Sequence, residues 1–165
     1  MEKRHFAAIS TSGASSRQGE KGVRAVEFEL SKIDAAVDQL DWAIRLCLDH
    51  KAYVPAITLA GAADEILGQV VGSRAAFGVL KKKFAADFSL SEKVVSQAHL
   101  NRAKNWLKHW DGRTGEETIR LELDEEALQY IVRALANLVA HDSSRPSEGP
   151  RFWAWMSKNR LDLLQ

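Results

Sequence analysis

The stretch HLNRAKNWLKHWD, residues 99–111, concentrates His99, Arg102, Lys104, Asn105, Lys108 and His109 within thirteen positions. These side chains can handle a phosphodiester. Histidine exchanges protons near neutrality, its unperturbed pKa being about 6.5. Arginine presents a planar fork that grips phosphate oxygens in pairs. Asparagine can orient an imidazole or a substrate, and lysine adds a point charge. At about 100° per residue, Val95, His99, Arg102, Trp106 and His109 fall on one face of a helix. Asn105 borders that face one turn before His109, within reach of it. Lys104 and Lys108 point elsewhere, as binding cations. A face that carries Val95 and Trp106 turns inward, so Arg102 requires a partner there, because an unpaired buried charge is costly. Asp64 and Glu65, embedded in the apolar run ITLAGAADEILGQVV, are the carboxylates on offer. The packing therefore predicts Arg102 or His109 in contact with Asp64 or Glu65. A purely structural ion pair between the two helices is the competing reading of the same residues. Trp106 and Trp110 read as packing anchors.

This stretch resembles the signature of the HEPN superfamily, compact all-helical proteins whose motif is an arginine followed a few residues later by histidine. Two registers are open. One takes Arg102 and His109, with six residues between them and Ala103 after the arginine. The other takes Lys104, Asn105 and His109, with lysine where the family has arginine. GAADEILG, NWLKHWD and FWAW also resemble, in that order, a set of short uncharacterised bacterial proteins sharing an Asn-aromatic-x-Lys-His core. The HEPN resemblance implies an all-α fold, a homodimer and an association with nucleotide, RNA or a protein partner. Two functions follow from it: a non-catalytic binding module, or a metal-independent endoribonuclease. In the enzyme, His109 would be the general acid or base, Arg102 or Lys104 would steady the phosphate, and Asn105 would orient. The ribose 2′-hydroxyl would be the nucleophile, so no metal and no cofactor are expected.

The elements that must position these residues are helical. Ile33, Val37, Leu40, Ile44, Cys47 and Leu48 recur at helical spacing, predicting a first helix over 31–49, with Ser31 and Asp34 as a capping box. Trp42 and Leu46 lie off that stripe, and a second apolar face suits a subunit contact. A second helix over 54–71 has Pro55 in its first turn and ends at Gly72. A third covers 75–86. Ser89 with Glu92 resembles a capping box that opens a long fourth helix over 91–110. After the loop 111–117 and the weakly extended TIRLEL, Asp124 can cap a fifth helix to about residue 140, with Leu128, Ile131, Leu135 and Leu138 as its apolar stripe. A short sixth helix closes the chain. The fold class is all-α, an irregular up-and-down bundle of about four main helices. Residues 10–22, STSGASSRQGEKG, are Ser- and Gly-rich without periodicity and predict a mobile tail over 1–24 before a single helical domain over 25–165.

Composition limits the rest. A 165-residue chain with 45% hydrophobic residues can build one core. Its net charge of +1 supplies no global field for nucleic acid or membrane. The charge is locally segregated: Lys93, Arg102, Lys104, Lys108 and Arg113 oppose only Asp111, whereas acids dominate 116–126. Such opposed blocks suit self-association. The phosphate-loop pattern is absent, as are Cys-x-x-Cys and a pair of histidines flanking glutamate. The single cysteine, Cys47, sits on the apolar stripe and reads as a core residue. One cysteine forms no internal disulfide, and no uninterrupted apolar run approaches the ~18 residues of a membrane helix. A cytoplasmic protein is the expectation.

Overall fold

Apolar residues at three- and four-residue spacing make α1, Lys32–His50, which buries Ala36, Val37, Leu40, Ala43, Ile44 and Cys47. A left-handed residue, Lys51 (φ 51°), turns the chain, and α2 follows over Tyr53–Val71. Pro55 lies in the first turn of α2, where no helical carbonyl awaits its missing N–H. Gly72, with φ 60°, ends the helix and donates its N–H to Gly68. Next come α3, Ala76–Asp87, and a short turn α4, Glu92–Val94. A π-helical segment, Val95–Leu100, leads into α5, Arg102–Lys108. The chain closes with α6, Leu123–His141, and α7, Gly149–Asn159. These elements belong to the computed structural model, which describes residues 27–109 and 117–163. The expected N-terminal tail, Trp110 and most of the 111–117 loop lie outside those residues.

The fold is all-α, and no β-strand occurs among the described residues. The unit Lys32–Gln165 is built on α1, α2 and α6, each of 19 residues. Helix α2 packs on both of the others. Its small residues Ala56, Ala60, Gly61 and Ala63 are buried there and allow the close approach. Fully burying a Leu, Ile or Phe stabilises by about 1.5–3 kcal/mol relative to exposure. Leu40, Ile44, Ile57, Leu67, Ile131, Leu135 and Phe152 meet that condition. Together with its 3₁₀ extension, Tyr53–Arg74, α2 has the length and mean hydropathy (1.3) of a membrane span. The absence of an uninterrupted apolar run therefore does not exclude one by composition; the central position of α2 in the core accounts for the hydropathy.

The N-terminus of α7 is anchored to α1. Asp41, buried, accepts the Glu148 N–H at 2.8 Å, and Arg45 donates two hydrogen bonds to Glu148 at 2.8 and 3.1 Å. Cys47 is buried as expected, and burial pushes its thiol up to about 11, away from nucleophilic chemistry.

The expected helix over 91–110 is interrupted. The first cap is Ser91, which accepts the Val94 N–H at 3.3 Å; Ser89 instead takes a left-handed turn conformation (φ 52°). Asn101 donates to Ser96 at 3.0 Å, one residue further back than an α-helix allows. Beyond it, the α-helical bond from Lys104 N–H to Leu100 C=O is replaced on both sides. The Leu100 carbonyl accepts from Arg133 Nη1 at 2.8 Å, and the Lys104 N–H donates to the Tyr130 hydroxyl at 3.3 Å. Two side chains of α6 thus satisfy the donor and the acceptor of that missing bond, as buried backbone groups require. Helix α6 itself begins at Leu123 after Glu122, with Asp124 in its first turn rather than at the cap.

Candidate functional site

The break changes where the residues of 99–109 point. The π-turn adds a residue to the helical circuit, so a face drawn at 100° per residue does not run through it. Val95 and Leu100 point into the core, and Ala103 follows them after the break. Arg102, Asn105 and His109 are exposed, and Trp106 is half-buried. His109 ends α5 in an extended conformation, joined to Asn105 by its backbone N–H at 3.1 Å. No side-chain hydrogen bond links the two.

The carboxylates of α2 find other partners. Asp64 pairs with Arg133 of α6, and neither Arg102 nor His109 forms an ion pair with Asp64 or Glu65. Glu65 takes the lysines: Lys104 at 3.4 Å and Lys108 at 3.8 Å. Arg102 does not need a buried partner, because its side chain never enters the core. Lys104 reaches Glu65 by laying its stem over Gly61, where an added Cβ would lie 2.8 Å from Lys104 Cδ. Of the sequence-predicted site residues, Lys104 and Lys108 are therefore brought together with Glu65. Asp64 belongs to a separate buried network, and Arg102 stands on a third side.

That network was invisible from the motif. Arg133 is 1% exposed, and its guanidinium is held between the rings of Phe77 and Tyr130 at 5.0 and 4.9 Å. Its Nη2 bonds Asp64 and reaches Asn101 Oδ1 at 3.5 Å. Asn137 donates to the Asp64 carboxylate at 3.0 Å and accepts the Ala76 N–H, at the start of α3, at 2.8 Å. Burial pushes the Asp64 carboxyl up, and Arg133, Lys104 and Asn137 oppose that shift. Arg133 is the only Lys or Arg of α6, and Asp64 lies in the most apolar helix. The available signal for the pair was Arg133, the sole Lys or Arg of α6, set against Asp64 and Glu65, the two acids of the apolar α2.

Beside this network is a cleft of about 750 Å³, bordered by α3, the π-segment, α6 and α7. His99 and Arg102 line it from the motif stretch. Leu80, Phe84, Leu100, Leu128, Val132 and Met156 supply apolar wall, and Glu126 and Arg133 line it from α6. Lys104, Lys108, Asn105 and His109 do not line it. Its volume falls within the ~300–1,000 Å³ of small-molecule sites. Burial pushes the Glu126 carboxyl up, and the charges of Arg102 and Arg133 pull the other way. Among the described residues no group of three His, Cys, Asp or Glu is placed to hold a metal ion. The chain matches no known protein family, no curated protein and no solved structure.

Proposed function

We propose that this chain is a non-catalytic, HEPN-like helical module that binds a compact ligand and works as a homodimer in the cytoplasm. One observation carries the reading: the motif residues diverge. Arg102 faces the cleft, Lys104 and Lys108 are tied to Glu65, and Asn105 and His109 stand exposed beyond it. General acid–base catalysis needs its groups within hydrogen-bond reach of one reacting centre. Within one chain these groups share no such centre. The cleft, by contrast, has the volume of a small-molecule site. Among nucleotide, RNA and protein partners, it favours the compact end. Trp42, 48% exposed on α1 with Arg45 stacked 5.3 Å from its ring, supports a subunit contact on the other apolar face.

The test is an RNA-cleavage assay with purified protein and a chelator, comparing the wild type with His109→Ala. The binding module leaves mixed RNA intact in both samples. Cleavage by the wild type that disappears in His109→Ala would establish the endoribonuclease instead. Light scattering at micromolar concentration checks the dimer, and a monomeric mass would remove that part of the proposal.

A further inference from the structure

We propose that the cleft takes a net-neutral organic ligand with an apolar body, whose carbonyl-type acceptor meets Arg133 Nε–H and whose N–H donor meets Glu126. The inference deepens the binding reading above by naming the chemistry of what is bound. Its first support is a pair of unmet polar atoms. The terminal nitrogens of Arg133 are spent on Leu100, Asp64 and Asn101, yet its Nε has no partner although the residue is 1% exposed. Glu126 Oε2 is likewise shielded from solvent and unpartnered. Buried polar groups in native proteins are nearly always hydrogen-bonded, and leaving one unmade is costly. Both residues line the same cleft. They are seven positions apart on α6, so their backbones are separated by about 10 Å along one face. Neither atom reaches the free cleft surface, so a ligand lying along α6, with an acceptor toward one end and a donor toward the other, satisfies both once the side chains that cover them give way.

The second support is charge. Asp64 neutralises Arg133, and Arg160 bonds Glu125 at 3.0 Å. The remaining charged lining, Arg102 and Arg120 against Glu122 and Glu126, carries both signs in equal number. A phosphate chain entering the cleft would meet glutamates as well as arginines, and no cationic surplus is left to hold it. The apolar wall from Leu80, Phe84, Leu128, Val132 and Met156 matches a flat or aliphatic body. Secondary amides and lactams, nucleobases among them, carry the required acceptor and donor on such a body.

The experiment uses the full chain and three probes at millimolar concentration: N-acetylphenylalaninamide, thymine and phenyl phosphate. Binding is followed by ligand-observed saturation transfer and by ¹⁵N shifts of the protein. The amide and the lactam should bind, with shifts centred on residues 126–133, and phenyl phosphate should not. Glu126→Leu should weaken binding about tenfold, the equivalent of one lost hydrogen bond. Val132→Trp, which narrows the cleft from a half-buried position and keeps both Asp64 and Arg133, should weaken it further while leaving the far-UV spectrum unchanged. Failure of both neutral probes to bind, shifts that map away from α6, or preference for phenyl phosphate would overturn the proposal. Cleavage of RNA overturns the non-catalytic reading without bearing on which probe occupies the cleft, so the two can fail separately.

Discussion

The bundle of α1, α2 and α6 and the arm formed by α3, the π-segment and α5 are held by different physics. Each helix of the bundle buries an apolar stripe, and the three account for most of the core. Helix α3 has no buried residue at all, and from the arm only Val95, Leu100 and Ala103 are buried. The arm is instead fastened by polar side chains from one edge of α6. Tyr130, Arg133 and Asn137, at helical spacing, take the Lys104 N–H, the Leu100 carbonyl and the Ala76 N–H respectively. Hydrophobic burial sets the bundle, and directional bonds to backbone set the arm. An arm held by a few directional bonds can open locally at lower free energy than the bundle. The cleft lies along this seam, which is where a ligand could be admitted without disturbing the core.

The largest effect should come from breaking the fastening at its centre. Arg133→Met leaves Asp64 buried without its cation and the Leu100 carbonyl without its donor. Removing one partner of a buried pair typically costs about 3–5 kcal/mol. Denaturant unfolding should register a loss of that size. The double variant Asp64→Leu/Arg133→Met should recover much of it, because no charge then remains stranded. A loss below about 1 kcal/mol for Arg133→Met, the scale of a surface pair, would mean that the pair is not dry.

A smaller effect separates arm from bundle. Tyr130→Phe removes the hydroxyl that accepts the Lys104 N–H, and Asn137→Ala removes the acceptor of the Ala76 N–H. A net hydrogen bond is worth about 0.5–1.5 kcal/mol, and a stranded buried group somewhat more. Hydrogen exchange should therefore accelerate at Lys104 in the first variant and at Ala76 in the second, while amides of α1 and α2 keep their protection. Uniform acceleration across all helices would show that arm and bundle open as one unit, and the comparison would fall.

The same contrast explains what could be read from the sequence. The bundle was legible because Val37, Leu40, Ile44 and Cys47, or Leu128, Ile131, Leu135 and Leu138, repeat with the period of a helix and are then buried with that period. The end of α2 at Gly72 was legible for a local reason, the left-handed conformation that glycine adopts freely. The break at residues 95–101 was not. Nothing in VVSQAHLNRAK interrupts helical spacing, and the interruption comes from Arg133 and Tyr130, some thirty residues later. Unbroken helical phase from Val95 to His109 would turn Arg102 and His109 inward; the break leaves both exposed, and the expected contact to Asp64 or Glu65 does not form. Glu65 with Lys104 and Lys108 needed only the right face of α5. Arg133 and Asn137 carry no such signal, because a polar residue in an amphipathic helix is ordinarily solvated, whereas here both are buried.

The smallest effect belongs to Glu126, on the cleft side of the same seam. Its carboxyl is pushed up from the ordinary 4.5, first by burial, and Arg102 and Arg133 reduce the shift without reversing it. An acid whose folded pKa is raised holds its proton more tightly in the folded chain than in the unfolded one. The stability gained from this is fully present below the unfolded value and is lost as pH rises through the folded one. Glu126→Gln keeps the shape and stays neutral at every pH. The melting temperature of the variant relative to the wild type should therefore climb as pH moves from acid toward neutral, then level off once the wild-type carboxyl is ionised. A saturating amide probe should narrow that difference, because its N–H supplies the donor that Glu126 Oε2 lacks and so stabilises the ionised carboxylate. A flat difference across that range would place Glu126 in ordinary solvent. The seam would then be a surface groove, with only Arg133 Nε left to claim a ligand.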